Sequence, residues 1–162
     1  MGTGKSSVGR VVAEMLHFKF LDTDHVIEER AGTTIKDIFE QHGEPAFRDL
    51  ERRLVEELAQ SSDTVIATGG GLPVDPSNLA SLKAHALVVC LWASPEKILD
   101  RVKNHYHRPL LNEPDPLAKI KDLLALREPF YRQADVLVNT EMRALREIAT
   151  HVVHEFQIAL QR

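Results

Sequence analysis

The stretch Gly2-Thr3-Gly4-Lys5-Ser6-Ser7 opens the chain, and a helical pattern with one apolar face follows it to about residue 17. It matches the second half of the phosphate-binding pattern G-x-x-x-x-G-K-[ST]. There, glycines let backbone N–H groups turn inward around phosphate oxygens, and the positive end of the following helix faces the anion. Lys5 would reach the β- and γ-phosphates, Ser6 would complete a Mg²⁺ shell, and Ser7 adds a donor. A chance glycine turn is the alternative, and this motif alone does not exclude it.

Beyond that turn, short β-rich runs alternate with helical patterns. The predicted strands are 18–21, 64–68, 87–92 and 136–138, and the predicted helices are 5–17, 44–60, 95–103, 117–132 and 142–160. Ser94-Pro95-Glu96 marks a helix start, with a capping serine followed by proline. Such alternation predicts one α/β domain over residues 1–162, with a parallel sheet between layers of helices.

Composition excludes several classes of protein. The 162 residues include 43% hydrophobic and 27% charged residues, and the net charge of −4 is unlike that of a nucleic-acid binder. The longest apolar run, 86–93, is far shorter than the roughly 20 residues of a membrane span. Cys90, the single cysteine, lies in that run and reads as an inert buried thiol. We therefore expect a cytoplasmic monomer that has no nucleic-acid or membrane partner.

A pair of carboxylates follows the first predicted strand, in Leu21-Asp22-Thr23-Asp24. Ligands bind at the carboxyl ends of strands in parallel sheets. One carboxylate could hold Mg²⁺ through water while the other accepts a hydrogen bond from a substrate hydroxyl. The alternative is a capped turn, with Asp24 capping a helix that begins near His25.

Three glycines, Gly69-Gly70-Gly71, end the second predicted strand, where a ligand could approach the backbone closely. A flexible loop is the alternative. Arg48 and Arg127 lie on predicted helices, and Arg108 lies in the segment 105–115, which we expect to be a lid loop. Arginine can grip a carboxylate with two hydrogen bonds or neutralise a transferring phosphoryl group, but each of these could also be a surface residue.

These motifs, in this order, resemble the shikimate kinase family. The matching runs are G-T-G-K-S-S-V-G-R, L-D-T-D, F-R-D-L-E, T-G-G-G, R-P-L-L and R-E-P-F-Y, and they extend from Gly2 to about Arg143. The resemblance implies a P-loop NTPase-type parallel sheet like that of nucleoside monophosphate kinases. It also implies ATP-dependent, Mg²⁺-dependent phosphorylation of the shikimate 3-hydroxyl, a step of aromatic amino acid biosynthesis.

The resemblance also implies roles for particular residues. Lys5, Asp24 and Arg108 would be catalytic, with Asp24 orienting the attacking hydroxyl and Arg108 closing over the phosphates. Asp22 would be the outer-shell magnesium partner of Ser6. Substrate binding would fall to Asp24, Arg48, Arg127 and the glycines Gly69, Gly70 and Gly71. ATP would be bound by Gly2, Thr3, Gly4, Lys5, Ser6, Ser7, Arg108, and, near the adenine, Arg101 and Arg143.

The chain departs from that family at its start. The first phosphate-loop glycine would fall before Met1, and the strand that feeds the loop, central in the sheet, is missing from this chain. Its loss would expose strand edges on both sides, so we expect lower stability and activity than in a relative that has the strand. Either the start is misassigned or the chain is truncated.

Two other functions remain open at this point. The chain could be a related small-molecule kinase resembling gluconate kinase, although the Arg48 and Arg127 pair and the glycine triplet argue against it. It could instead hold shikimate or nucleotide without turnover, which a distorted phosphate loop would favour. Neither His105 with His107 nor His151 with His154 has further ligands at a metal spacing, so we expect all four to be surface residues.

Overall fold

A computed structural model describes residues 2–103 and 114–161. The strands are β1 (Lys19–Asp22), β2 (Thr64–Ala67), β3 (Val89–Trp92) and β4 (Val136–Asn139). The helices are α1 (Lys5–Leu16), α2 (Thr23–Ala31), α3 (Ile35–Leu58), α4 (Pro76–His85), α5 (Pro95–Val102), α6 (Pro116–Tyr131) and α7 (Leu145–Leu160), with a 3₁₀ turn at Leu72–Val74. Within those two ranges, no helix combines the length and apolar character needed to cross a membrane. The predicted α/β alternation is confirmed.

The predicted boundaries hold for most elements, but two predicted helices differ in extent, and α2 and α4 were not among the predicted helices. The helix predicted at 44–60 is the second half of α3, which is broken at Gly43 (φ 78°, ψ 169°), so Pro45 falls in the first turn after the break. The last helix begins at Leu145, three residues later than predicted. Helix α4 was not predicted, although Asp75 caps it and Pro76 is its first residue.

The strands form two parallel pairs. In the first, β1 lies beside β2 with Lys19 opposite Thr64 and Asp22 opposite Ala67. In the second, β3 lies beside β4 with Val89 opposite Val136. Because β1 and β2 end at the same edge, the segments that follow them, 22–24 and 68–71, leave the sheet side by side. This is the edge at which parallel sheets bind ligands.

Helix α1 packs across both strand pairs. Its Val8 and Val12, each 3% exposed, are buried in one apolar cluster with residues of β4 and α7. Val65 of β2 and Leu91 of β3 pack against the same cluster. The helix that begins at Lys5 therefore fixes the position of one strand pair relative to the other.

A cavity of about 520 Å³ lies between β2 and β3 and is lined largely by apolar side chains. Among the described residues, β2 and β3 belong to different sheets, so no backbone ladder joins them. Cys90 lines the cavity and is only half-buried, which corrects the expectation of a fully buried thiol. Burial nonetheless raises the pKa of its thiol.

Candidate active site

The glycine turn at the start of α1 has the geometry of an anion cradle. Gly4 has φ 91°, a left-handed conformation that a side chain rarely adopts, and it immediately precedes the first residue of α1. Thr3, in the turn, is 7% exposed. The N–H groups of the first turn of a helix have no acceptor within that helix, so a helix start of this kind can bind phosphate oxygens.

The phosphate turn meets the end of β1 through one short hydrogen bond. The Ser6 hydroxyl donates to Oδ2 of Asp22 at 2.6 Å. The other Asp22 oxygen, Oδ1, accepts from the Asp24 backbone N–H at 3.2 Å and caps α2. Asp22 is therefore the capping residue, and the alternative that Asp24 caps this helix is wrong. The Asp24 carboxylate does not have that structural task.

Asp24 lies among charges of both signs. Burial raises the pKa of its carboxyl, and the negative charge of Asp22 raises it further. The cations of Lys5 and Arg48 oppose this rise. A side chain at Gly69 would collide with the Asp24 carboxylate, so the backbone after β2 passes directly against it. The result is a carboxylate with enhanced basicity beside both the phosphate turn and the glycine triplet.

Arg48 is held on α3 by two glutamates. Its Nη1 donates to Oε2 of Glu51 at 2.6 Å, while Nε and Nη2 donate to Oε1 of Glu44 at 3.1 and 2.7 Å. The Glu51 side chain is 1% exposed, whereas that of Glu44 is 60% exposed. Burial raises the pKa of Glu51, opposed chiefly by Arg48. The other Glu51 oxygen, Oε1, has no hydrogen-bond partner within the described ranges, although it is buried.

The glycine triplet is a fixed turn, which argues against the flexible-loop alternative. The Gly69 N–H donates to Oγ1 of Thr23 at 2.9 Å, and Thr23 is fully buried. The Gly70 carbonyl accepts from the Tyr131 hydroxyl at 2.6 Å. A Cβ at Gly71 would lie 2.6 Å from Nη1 of Arg48. The turn therefore fits between Asp24 and Arg48 only because it lacks side chains.

The remaining predicted arginines occupy different surroundings. Arg127 lies on α6, and its charge acts on both Glu51 and Tyr131. Arg101 donates to the Thr140 hydroxyl at 2.9 Å, to the Thr140 carbonyl at 2.5 Å, and to the Thr3 carbonyl at 3.4 Å, so it contacts the phosphate turn directly. Arg143 is exposed just before α7. Arg108, with most of the predicted lid 105–115, lies outside the described residues.

The structure thus brings Lys5, Asp24, Arg48 and Arg127 to one region, linked through their mutual electrostatic effects. Sequence reasoning gave no role to Glu44, Glu51, Thr23 or Tyr131, which hold the predicted residues in place. For Glu51 a signal existed, because positions three apart on a helix are neighbours and Arg48 precedes it by three. For Tyr131 and Thr23 no local signal existed, since their partners lie 61 and 46 residues away.

No group of three or more His, Cys, Asp or Glu side chains suited to a metal occurs in the part of the chain that the structure describes. Ser6 and Asp22 supply only oxygen atoms, the ligand type that Mg²⁺ prefers. Because Mg²⁺ is commonly bound through one or two protein oxygens plus substrate phosphates, this pair fits that ion.

Comparisons with known proteins show which family the chain is similar to. The family model described as shikimate kinase matches residues 1–157. A shikimate kinase of Caldanaerobacter subterraneus subsp. tengcongensis is 43% identical over 156 residues, covering 96% of this chain and 91% of that protein. A shikimate kinase of Thermus thermophilus is 42% identical over 156 residues, covering 96% and 85%.

Solved structures match equally well. A shikimate kinase from Acinetobacter baumannii in complex with shikimate has a TM-score of 0.90 and 40% identity, covering 99% of this chain and 89% of that one. The shikimate kinase from Aquifex aeolicus has a TM-score of 0.86 and 33% identity, covering 99% and 94%.

Proposed function

The chain belongs to the shikimate kinase family, and from that premise we propose how its own residues transfer the γ-phosphate of ATP to the 3-hydroxyl of shikimate. The chain is an ATP-dependent kinase, and the reaction gives shikimate 3-phosphate and ADP. The observation that carries the site assignment is the position of Asp24, a partly buried carboxylate between Lys5 and Arg48.

In this proposal the turn from Gly2 to Ser7 binds the ATP phosphates through its backbone N–H groups. Lys5 neutralises charge on the β- and γ-phosphates. Ser6 and Asp22 would hold Mg²⁺, and their direct contact at 2.6 Å supports a shared ligand position. When bound, the ion supplies positive charge to the phosphate oxygens.

Asp24 accepts a hydrogen bond from the 3-hydroxyl and aims its oxygen at the γ-phosphorus. The new O–P bond forms as the bond from the γ-phosphorus to the β–γ bridging oxygen breaks. ADP leaves with that oxygen, and the hydroxyl proton passes to the Asp24 carboxylate, which accepts the hydrogen bond from the hydroxyl. The raised pKa of Asp24 makes its carboxylate a stronger acceptor than an ordinary aspartate. Positioning and charge neutralisation provide most of the catalysis of phosphoryl transfer.

Arg48 and Arg127 would bind the shikimate carboxylate, and the glycine triplet would form the wall behind its ring. The fit supports this, because Arg48 is already aligned by Glu51 and the triplet leaves no side chain in the way. Two hydrogen bonds from a guanidinium fix both the position and the orientation of a carboxylate.

The residues assigned to the nucleotide end stay predictions. Arg108 would close over the phosphates and exclude water, which would suppress ATP hydrolysis. Arg101 contacts the Thr3 carbonyl, so it would support the phosphate turn as well as lie near the adenine. Arg143, being exposed, would meet the nucleotide only at its outer edge.

The test measures ADP release with and without shikimate for the wild type, Asp24→Asn, and Asp122→Asn as an exposed control on α6. We expect shikimate-dependent release that Asp24→Asn lowers at least about 100-fold and Asp122→Asn leaves unchanged. Calorimetry should show that Asp24→Asn still binds ATP. Wild-type protein that binds shikimate and ATP but releases no ADP would instead support the non-catalytic alternative. Equal turnover of gluconate would contradict the substrate assignment.

A further inference from the structure

One tyrosine hydroxyl joins the end of α6 to the glycine triplet. Tyr131 is the last residue of α6, and its hydroxyl donates to the Gly70 carbonyl oxygen at 2.6 Å across 61 residues of sequence. Tyr131 is half-buried and lines the cavity between β2 and β3 together with Gly70. A hydrogen bond this short between distant segments fixes their separation.

The triplet has little freedom to move without disturbing the site. On one side the Gly69 N–H is held by Thr23, which is fully buried. On the other, the Cβ position of Gly71 lies 2.6 Å from Arg48. Any displacement of Gly70 therefore changes the space that Asp24 and Arg48 leave for a ligand.

The same hydroxyl also faces Arg127, which precedes it by one helical turn on α6. Burial raises the pKa of Tyr131, while the charge of Arg127 and a hydrogen bond from it oppose that rise. The hydroxyl thus interacts with both the Arg127 guanidinium and the Gly70 carbonyl. With a raised pKa, it remains protonated and able to donate at neutral pH.

We propose that Tyr131 is a positioning residue that sets the distance between Arg127 and the glycine triplet, and through it the fit of the shikimate carboxylate. The inference rests on the proposed function, because it takes Arg127 and the triplet as parts of the shikimate pocket. Neither the sequence motifs nor the proposed binding of the shikimate carboxylate by Arg48 and Arg127 assigns a role to Tyr131.

The test compares Tyr131→Phe with Thr150→Val, which removes another hydroxyl-to-carbonyl hydrogen bond on the exposed side of α7. For Tyr131→Phe we expect the KM for shikimate to rise about two- to tenfold, with the KM for ATP unchanged. The melting temperature should fall by no more than about 4 °C. Thr150→Val should change neither KM.

A second substrate distinguishes a positioning role of Tyr131 from a general loss of rigidity in the fold. With the primary alcohol analogue of shikimate, which lacks the carboxylate, the penalty of Tyr131→Phe should disappear because Arg127 has nothing to grip. An unchanged KM for shikimate would overturn the proposal, as would a large loss of melting temperature with equal rises in both KM values. If the wild type itself failed to phosphorylate shikimate, the proposed function would fail first, and the two failures are therefore distinguishable.

Discussion

Gly71→Ala should weaken shikimate binding while leaving the fold intact. Gly71 has φ −91° and ψ −20°, a conformation that alanine adopts without strain. Its new Cβ would lie 2.6 Å from Nη1 and 2.7 Å from Nη2 of Arg48, closer than real contacts allow. Because these atoms are the far end of a flexible side chain, the guanidinium would move and the backbone would stay.

The size of the effect follows from that displacement. Ordinary contact begins at 3.4 Å, so Arg48 must move by about 0.8 Å, enough to lose a two-pronged alignment on a carboxylate. A hydrogen bond to a charged group contributes about 1.5–3 kcal/mol, which corresponds to roughly 10- to 150-fold in affinity. Replacing a glycine by alanine lowers the conformational entropy of the unfolded chain, which stabilises the fold by about 0.4–1 kcal/mol. The melting temperature should therefore stay the same or rise.

The assay determines the KM for shikimate and for ATP, together with the melting temperature, in a double-mutant cycle with Arg48→Ala. If Gly71→Ala acts through Arg48, it should add little to the KM once Arg48 is already absent. Fully additive effects would refute this reasoning, and so would a normal KM for shikimate in Gly71→Ala alone.

Three further predictions concern the same site. Glu44→Gln should lower the KM for shikimate about two- to fivefold, because Glu44 occupies the Nε and Nη2 edge of Arg48 that a substrate carboxylate needs. The control is Glu40→Gln, since Glu40 pairs with the exposed Lys36. An unchanged KM for shikimate in Glu44→Gln would argue against competition between Glu44 and the substrate. Asp24→Asn should raise the melting temperature at pH 7, since a carboxyl whose folded-state pKa is raised destabilises the fold when it is ionised. This gain in melting temperature should vanish as the pH falls below 3.8, the ordinary pKa of an aspartate. A gain that persists in acid would contradict this reasoning. Ser6→Ala should raise the Mg²⁺ concentration that gives the half-maximal rate at least about tenfold. Mg²⁺ titrations of the reaction rate, with Thr150→Val as the control variant, measure this. Identical titration curves for the two variants would exclude Ser6 from the metal site.

Sequence patterns predicted most of the elements because apolar spacing and capping residues are local signals. Ser94-Pro95 located the start of α5, where the Ser94 hydroxyl accepts from the Lys97 N–H. The same logic applied to Asp75-Pro76 would have located α4. By contrast, the break at Gly43 depends on a positive φ within an otherwise continuous helical pattern. The spacing of apolar residues alone cannot predict such a break.

The sequence predicted which residues of the candidate site lie close together. It did not predict as well which contacts each of them makes. Asp22 and Asp24 are two residues apart, so composition could not decide which caps α2 and which is left with a free carboxylate. The answer depends on the Ser6 hydroxyl and the Asp24 N–H, which share the two oxygens of Asp22. Long-range contacts thus assigned the roles that local pattern left open.

Side-chain contacts help to align the phosphate turn with the substrate pocket. The phosphate turn precedes α1, so the packing of α1 sets how this turn faces the substrate pocket. Helix α1 does so by packing Val8 and Val12 across both strand pairs.

Two hydrogen-bonded tethers add to that packing. Arg101 links α5 to the phosphate turn at Thr3, and Tyr131 links α6 to the glycine triplet after β2. Each bond joins segments that are far apart in the sequence. Their loss should therefore disturb catalysis more than stability, because each bond holds one part of the site while the strand pairs keep their own hydrogen bonds.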